Sequence, residues 1–201
     1  MVDFLIIGGG VAGLSAGTAL AKLGRVMVVE AEAHLGYHAS GRSAALYEAD
    51  YGAPATVAVA RASLPALQAM GVLSPRGMMV VAGPGDEAAF AKDCADLLLT
   101  EIPVAEACRR VPILNPSVVT RAAFTDNAQD IDTEAMLQFF ARQIRASGGE
   151  IRLKAPVTTL ARDGDGWRVE AGGETLQAAQ IVNAAGAWAD VVAEMAGLRP
   201  L

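Results

Sequence analysis

The sequence predicts an α/β fold built on a βαβ unit that binds a dinucleotide. Three observations predict it: an apolar strand at 4–7, the glycine-rich turn GGGVAG at 8–13, and a second apolar strand at 26–29 that ends in Glu30. A lone GxGxxG pattern is weak evidence, because any glycine-rich turn can match it. The strand before it, the apolar helix after it and the acid beyond the next strand together favour a bound dinucleotide over an empty turn.

Each position of this turn has a physical role. Gly8 allows the tight turn, Gly10 lets a pyrophosphate approach the backbone, and Gly13 lets the helix pack closely on the sheet. The helix begins at Val11 and Ala12, where free N–H groups and the positive end of the helix dipole face the phosphates. We therefore expect all five residues to contact the cofactor.

The acid at the end of the second strand favours a ribose with free hydroxyls. The carboxylate of Glu30 can accept hydrogen bonds from those hydroxyls, and it would repel a 2′-phosphate, so NADP is not expected. Glu30 and the adjacent Ala31 are candidate cofactor contacts. The motif alone does not distinguish FAD from NAD, because both present an ADP half to it.

Composition excludes several other classes of protein. The 201 residues suffice for one large domain or two small ones, and 53% hydrophobic against 19% charged residues allow a sizeable core and exclude disorder. A net charge of −6 without a basic patch argues against a nucleic-acid partner. Cys94 and Cys108 fit no metal or CxxC spacing, which favours reduced thiols. Asp3 interrupts the apolar N-terminus and no basic segment precedes it, so we expect no signal peptide, no membrane span and a cytoplasmic location.

The rest of the chain is predicted to alternate helices and strands. After small and polar residues at 31–53, the expected elements are a helix at 54–70, a buried strand at 77–83, and helices at 86–99 and 104–111. A further helix follows its expected N-cap, Asp132, and stops at Gly148 and Gly149. Strands are then expected at 150–154, 157–162, 166–171, 174–177 and 180–184. The last of these should complete the sheet that the first strand begins.

Three segments together resemble a known family. They are GGGVAG followed by VVE, GYHASGRSAA at 36–45, and VNAAGAW at 182–188 followed by GLRPL. They are similar to the D-amino-acid oxidase superfamily of FAD enzymes, which includes glycine and sarcosine oxidases, and the similarity to its D-arginine dehydrogenase branch runs along the whole chain. The resemblance implies FAD and a Rossmann-like sheet with a β-meander crossover. It implies a discontinuous FAD-binding domain at 1–72 and 129–201, and part of a mixed α+β substrate domain at 73–128.

The resemblance also implies further cofactor contacts. The segment beside the pyrophosphate and the ribityl chain corresponds to Ser40, Gly41, Arg42, Ser43, Ala44 and Ala45. Within it, Ser43 and Ala44 would lie near the flavin N5, where small side chains leave room for a substrate α-carbon. Val157 matches the adenine side, and Ala185 and Gly186 match the turn beneath the cofactor. For Trp188 we expect core packing.

The resemblance allows two roles for His38. In the dimethylglycine dehydrogenase branch of the family, the matching histidine holds FAD covalently. In the D-arginine dehydrogenase branch the matching histidine is a loop residue.

Three positions bear on the substrate that the resemblance implies. Met78 stands where the D-arginine dehydrogenase branch has a glutamate that pairs with a cationic side chain, and Leu46 stands where it has a substrate-binding histidine. A buried guanidinium without a counter-ion is costly, so an apolar D-amino acid is expected as substrate. Tyr51 matches a tyrosine of the family's mobile lid loop.

The implied reaction is the oxidative deamination of an amino acid. Hydride transfer from its CH–NH group to flavin N5 gives an imino acid that hydrolyses to the keto acid. Family members are nearly twice as long and carry, in the remainder, the arginine that binds the substrate carboxylate. The alternative is therefore a non-catalytic FAD-binding fragment, or a subunit that needs a partner or the missing half, and we expect this chain to be inactive alone. An NAD-linked enzyme is a third hypothesis, which the SGRSAA segment argues against.

Overall fold

The computed structural model describes residues 1–200, which divide into two compact units. The first unit comprises Met1–Ala44 together with the residues from Thr133 onward, and the second comprises Ala45–Asp132. The described strands, in chain order, are β1 (Val2–Ile7), β2 (Val26–Val29), β3 (Leu46–Tyr47), β4 (Leu73–Pro75), β5 (Met78–Ala82), β6 (Thr100–Ile102), β7 (Arg121–Thr125), β8 (Gln129–Ile131), β9 (Glu150–Arg152), β10 (Val157–Asp163), β11 (Gly166–Ala171) and β12 (Glu174–Asn183). The described α-helices are α1 (Val11–Leu20), α2 (Pro54–Met70), α3 (Glu87–Asp96), α4 (Val104–Arg110), α5 (Thr133–Ala146) and α6 (Ala189–Met195).

The first unit contains the predicted βαβ sheet. Among residues 1–200 its strands follow the order β10-β11-β12-β1-β2-β9. The strands β12, β1, β2 and β9 are mutually parallel, and β10, β11 and β12 form an antiparallel meander. The predicted α/β class is confirmed, and so is the expectation that a late strand completes the sheet beside β1.

The predicted division of residues 174–184 into two strands is wrong. Residues 174–178 pair with β11 and residues 178–183 pair with β1, so one strand of ten residues serves two ladders. Ala178 belongs to both ladders, opposite Trp167 on one side and Val2 on the other. The small residues at its middle, which read as a break in the sequence, are the point where the meander joins the parallel sheet.

The sheet of the first unit buries apolar side chains on both faces. On one face Leu5 and Val29 pack in a cluster with Val169 of the meander. On the other face Ile6 packs in a cluster with Leu14 of α1 and with residues of α5. The predicted apolar stripe of α5 supplies two of those residues, Leu137 and Ile144, which are fully buried. These two layers fix the ends of β1 and β2, where the glycine turn and Glu30 lie.

The second unit contains two small antiparallel sheets within residues 45–132, with the strand orders β3-β8-β4 and β5-β7-β6. The sequence predicted β5 and missed the other strands of this unit as separate elements. Pairing of Tyr47 with Gln129 and of Leu73 with Ile131 groups residues 45–72 and 129–132 with this unit, whereas the sequence analysis placed them in the cofactor domain. The roles assigned to the two domains remain predictions.

None of the helices described within residues 1–200 is long and apolar enough to span a membrane.

A bidentate ion pair joins two strands of the second unit and makes its stability depend on pH. Glu101 of β6 accepts hydrogen bonds at 2.9 and 2.7 Å from Arg121 of β7, whose guanidinium also stacks on Phe90. The hydrogen bonds from Arg121 hold the pKa of Glu101 below its usual value. A depressed carboxyl pKa stabilises the folded state at neutral pH, and this stabilisation disappears as the pH falls through that pKa.

We expect Glu101→Gln to lower the urea midpoint modestly at pH 7, because the pair is exposed. The difference from the unmodified chain should shrink as the pH falls below about 4, where an ordinary glutamate protonates. Urea unfolding at several pH values measures this. A difference that stays constant from neutral pH to pH ~3 would contradict the assignment.

Candidate cofactor site

A cavity of about 720 Å³ opens in the first unit at the carboxyl ends of β1, β2 and β12. This edge of a parallel sheet is where α/β folds bind their ligands, and the volume suits a bound small molecule or cofactor. Ten of the residues predicted from the sequence line it: Gly8, Gly10, Val11, Ala12, Glu30, Ala31, Ser40, Val157, Ala185 and Gly186.

The glycine turn at the end of β1 leaves no space for a side chain at position 8 or at position 13. Gly8 has a φ of +114°, and a Cβ built there would lie 2.3 Å from the carbonyl oxygen of Ala184. A Cβ at Gly13 would lie 1.9 Å from the carbonyl oxygen of Gly8, so α1 meets the turn backbone to backbone. Gly13 is thus a packing position beneath the turn, while Gly8 and Gly10 face the cavity.

The N-terminus of α1 presents its N–H groups at the cavity. The N–H of Val11 donates a hydrogen bond to Oγ of Ser40 at 3.0 Å. The loop that carries Ser40 is tied to the turn, because the N–H of Gly36 donates to the carbonyl of Gly9 at 3.0 Å. A hydroxyl oxygen thus lies at the helix N-terminus, the position where a phosphate oxygen is favoured.

The carboxylate of Glu30 is fixed in the cavity wall by two backbone donors. Oε2 accepts from the N–H of Gly9 at 2.6 Å, and Oε1 accepts from the N–H of Glu32 at 2.8 Å. Each carboxylate oxygen keeps a further lone-pair site, which can accept from a ribose hydroxyl. This carboxylate is a hydrogen-bond acceptor and the helix N-terminus supplies donors, and this set of groups fits a dinucleotide.

The whole GRSAA segment at 41–45 lies outside the cavity wall, although Ser40 just before it lines the cavity. Within the described chain, the cavity wall does not include Gly41, Arg42, Ser43 or Ala44, which are exposed, and Ala45 belongs to the second unit. The N–H of Gly41 donates to the carbonyl of Gly36 at 2.7 Å. The guanidinium of Arg42 stacks on the ring of Tyr37 at 5.0 Å. Contact of these five residues with the cofactor remains a prediction.

Several cavity residues were missed by the sequence analysis. Tyr37 lines the cavity from the loop after β2, beside His38, for which the sequence analysis gave two alternatives. Trp188 and the apolar residues Val191, Val192 and Met195 of α6 line it as well. The expectation that Trp188 packs in the core was wrong: the residue is 48% exposed and its ring lies 4.5 Å from that of His38. The spacing of the apolar residues Val191, Val192 and Met195 is typical of one helix face, and this pattern was the signal in the sequence for α6.

The three residues proposed to act on the substrate all lie in the second unit. Leu46 is in β3 and is 37% exposed, Tyr51 is 69% exposed ahead of α2, and Met78 is the first residue of β5, opposite Thr125. Leu46 and Met78 belong to different sheets of this unit. Their substrate roles remain predictions.

Comparisons with known proteins agree with this geometry. The family described as FAD dependent oxidoreductase (DAO) matches residues 3–201. Human mitochondrial dimethylglycine dehydrogenase is 36% identical over 88 residues, which are 43% of this chain and 10% of that protein.

Two solved structures share the fold. Glycine oxidase from Geobacillus kaustophilus has a TM-score of 0.83 at 24% identity, over 98% of this chain and 58% of that one. The L-α-glycerophosphate oxidase of Mycoplasma pneumoniae, solved with FAD bound, has a TM-score of 0.83 at 19% identity, over 96% of this chain and 56% of that one. This chain therefore spans little more than half the length of either protein.

Proposed function

This chain belongs to the DAO family of FAD-dependent oxidoreductases, and we propose that it is the FAD-binding part of an enzyme that oxidises the CH–NH bond of an amino acid. FAD is the cofactor that the family uses. The observation that carries the proposal is the cavity at the strand ends, whose lining includes the carboxylate-bearing Glu30 and the first residues of α1. The amino-acid class is supported by the resemblance to amino-acid oxidases and by the fold shared with a glycine oxidase.

The residues of the cavity would hold the two ends of the ADP half. The N–H groups at the start of α1, with the hydroxyl of Ser40, would bind the pyrophosphate. The carboxylate of Glu30, held by the N–H groups of Gly9 and Glu32, would accept from the ribose hydroxyls. The apolar side chains of α6 would exclude water from this half of the cavity.

Bound FAD supplies the two-electron acceptor that the oxidation needs. In the proposed reaction the amino acid loses a hydride from its α-carbon and a proton from its nitrogen. The imino acid so formed hydrolyses in water to the keto acid. The small side chains of Ser43 and Ala44 would leave space for the α-carbon, and Tyr51 would cover the substrate as part of a lid.

The proposed substrate is an apolar D-amino acid, because Met78 offers no counter-ion. A methionine at the edge of a binding site accommodates apolar groups and cannot neutralise a guanidinium. Leu46 would contribute a second apolar surface. Both residues are partly accessible in the second unit.

We expect Met78→Glu to raise turnover of D-arginine relative to D-methionine, in a longer protein that contains these residues and oxidises amino acids. The gain should be about tenfold, the value of one charge-assisted hydrogen bond. Met79→Glu is the matched control, because neighbouring residues of a strand point to opposite faces. The measurement is kcat/KM for both amino acids. The role proposed for Met78 is wrong if D-arginine is already the better substrate of the unmodified protein, or if Met78→Glu and Met79→Glu respond alike.

A second candidate function is an FAD-binding module that needs a partner or a further segment to act on amino acids. It is favoured by the share of glycine oxidase that the chain spans, 58%. Anaerobic mixing of the FAD-loaded chain with D- and N-methyl amino acids separates the two. A flavin band that persists supports the module, and bleaching shows that the chain contains a working site.

The cytoplasmic location is also proposed. Cys94 and Cys108 are free thiols, which is the state that a reducing compartment maintains.

A further inference from the structure

Three aromatic residues, Tyr37, His38 and Trp188, form one wall of the cavity, which we name the aromatic wall. The ring of His38 lies 5.0 Å from that of Tyr37, edge on, and 4.5 Å from that of Trp188, tilted by 53°. Tyr37 and Trp188 remain 46% and 48% exposed. Large aromatic surfaces left open at a cavity are suited to stack on a planar ligand group.

Backbone contacts hold the aromatic wall in place at one end. The backbone N–H of Trp188 donates to the carbonyl of Ala185 at 3.0 Å. Behind it, the amide of Asn183 donates to the carbonyl of Ala189 at 2.7 Å, which ties down the residue after the tryptophan. The indole is therefore attached to the same turn that lines the cavity at Ala185.

Side-chain and backbone contacts link the other end of the aromatic wall to the carboxylate of Glu30. Nε2 of His38 lies 2.9 Å from Oε1 of Glu32. The backbone N–H of Glu32 donates in turn to Oε1 of Glu30 at 2.8 Å. A continuous set of contacts thus runs from the indole of Trp188 to the carboxylate that is proposed to bind the adenosine ribose.

We propose that Trp188 stacks on the adenosine half of bound FAD, and that Glu32 and His38 are positioning residues that hold the indole over it. The proposal rests on the proposed function, because it places FAD in this cavity. Stacking of a nucleobase on an aromatic side chain is strong and needs no hydrogen-bond readout. In this proposal Nε2 of His38 is hydrogen-bonded to Glu32 and its ring packs against Trp188. His38 therefore supports the aromatic wall and forms no covalent bond to the flavin.

The two tryptophans allow a direct test. Trp167 lies in β11 beneath the guanidinium of Arg162, away from the cavity wall. In a Trp167→Phe chain Trp188 is the remaining indole, and its acrylamide quenching can be followed with ADP or with FMN. We expect saturating ADP to reduce the quenching constant by about half, because stacking covers one face of an exposed ring, and FMN to leave it unchanged. The proposal would be overturned if ADP bound without protecting Trp188 from acrylamide, or if FMN alone protected it.

Variants in the same background test the positioning residues. Trp188→Ala should weaken ADP binding about tenfold and Trp188→Phe much less. Glu32→Ala and His38→Ala should increase acrylamide quenching of the nucleotide-free chain, whereas Glu32→Gln keeps the acceptor oxygen and should behave as the parent. Unchanged quenching in His38→Ala would remove the positioning role.

Acid precipitation should release all FAD into the supernatant. Flavin that stays with the protein would contradict the non-covalent role of His38.

The visible spectrum separates this inference from the proposed function. A chain that retains no FAD contradicts the proposed function, whereas a chain that retains FAD while ADP fails to protect Trp188 contradicts the aromatic wall alone.

Discussion

Replacing Gly13 with valine is expected to abolish FAD binding by this chain. The smallest side chain at this position would place its Cβ 1.9 Å from the carbonyl oxygen of Gly8, which is backbone and cannot rotate away. Helix α1 would have to move off the sheet, and its N–H groups would leave the position where the pyrophosphate is proposed to bind. Even Gly13→Ala should lower stability by about 1–3 kcal/mol, the usual cost of overpacking.

The measurement is FAD affinity by flavin fluorescence, with circular dichroism to confirm that each variant is folded. Gly83→Ala is the matched control, because a Cβ there would meet its nearest neighbour at 3.5 Å, an ordinary contact. The control should bind FAD like the parent chain. A folded Gly13→Val chain with unchanged FAD affinity would place the cofactor elsewhere.

Removing the carboxylate of Glu30 is expected to weaken FAD binding by about ten- to hundredfold, corresponding to roughly 1.5–3 kcal/mol of charge-assisted hydrogen bonding. The change removes the proposed ribose acceptor and also leaves the N–H groups of Gly9 and Glu32 without their partner. Glu30→Gln should fall between the parent and Glu30→Ala, because it keeps one acceptor oxygen.

Glu170→Ala is the control for Glu30, because Glu170 lies in β11 and accepts a hydrogen bond from Thr175, outside the cavity wall. Isothermal titration of the flavin-free chains with FAD compares the three variants. Equal losses in Glu30→Ala and Glu170→Ala would show that the effect is one of general stability, and no loss in either would remove Glu30 from the site.

The parts of the molecule that follow from short sequence patterns could be predicted. The turn at 8–13 and Glu30 belong to one local βαβ unit, so strand, turn, helix and acid could be placed together before the structure was known. The last strand was found for the same reason, because an apolar run leads into a second small-residue turn.

The parts that depend on tertiary pairing could not be predicted. The strands β3, β4, β6 and β8 have two or three residues each, too few to show a period of two. They exist because each lies beside a partner far away in the chain, as Leu46 does opposite Asp130. The aromatic wall was missed for a similar reason: His38 and Trp188 meet only after the whole sheet has formed.

We propose that the first unit holds FAD in the cavity at the ends of β1, β2 and β12. The most direct test is the visible spectrum of the purified chain after incubation with FAD and removal of free flavin on a desalting column. We expect flavin bands at one FAD per chain, and their loss in Gly13→Val. A colourless parent chain, or equal flavin in both chains, would contradict it.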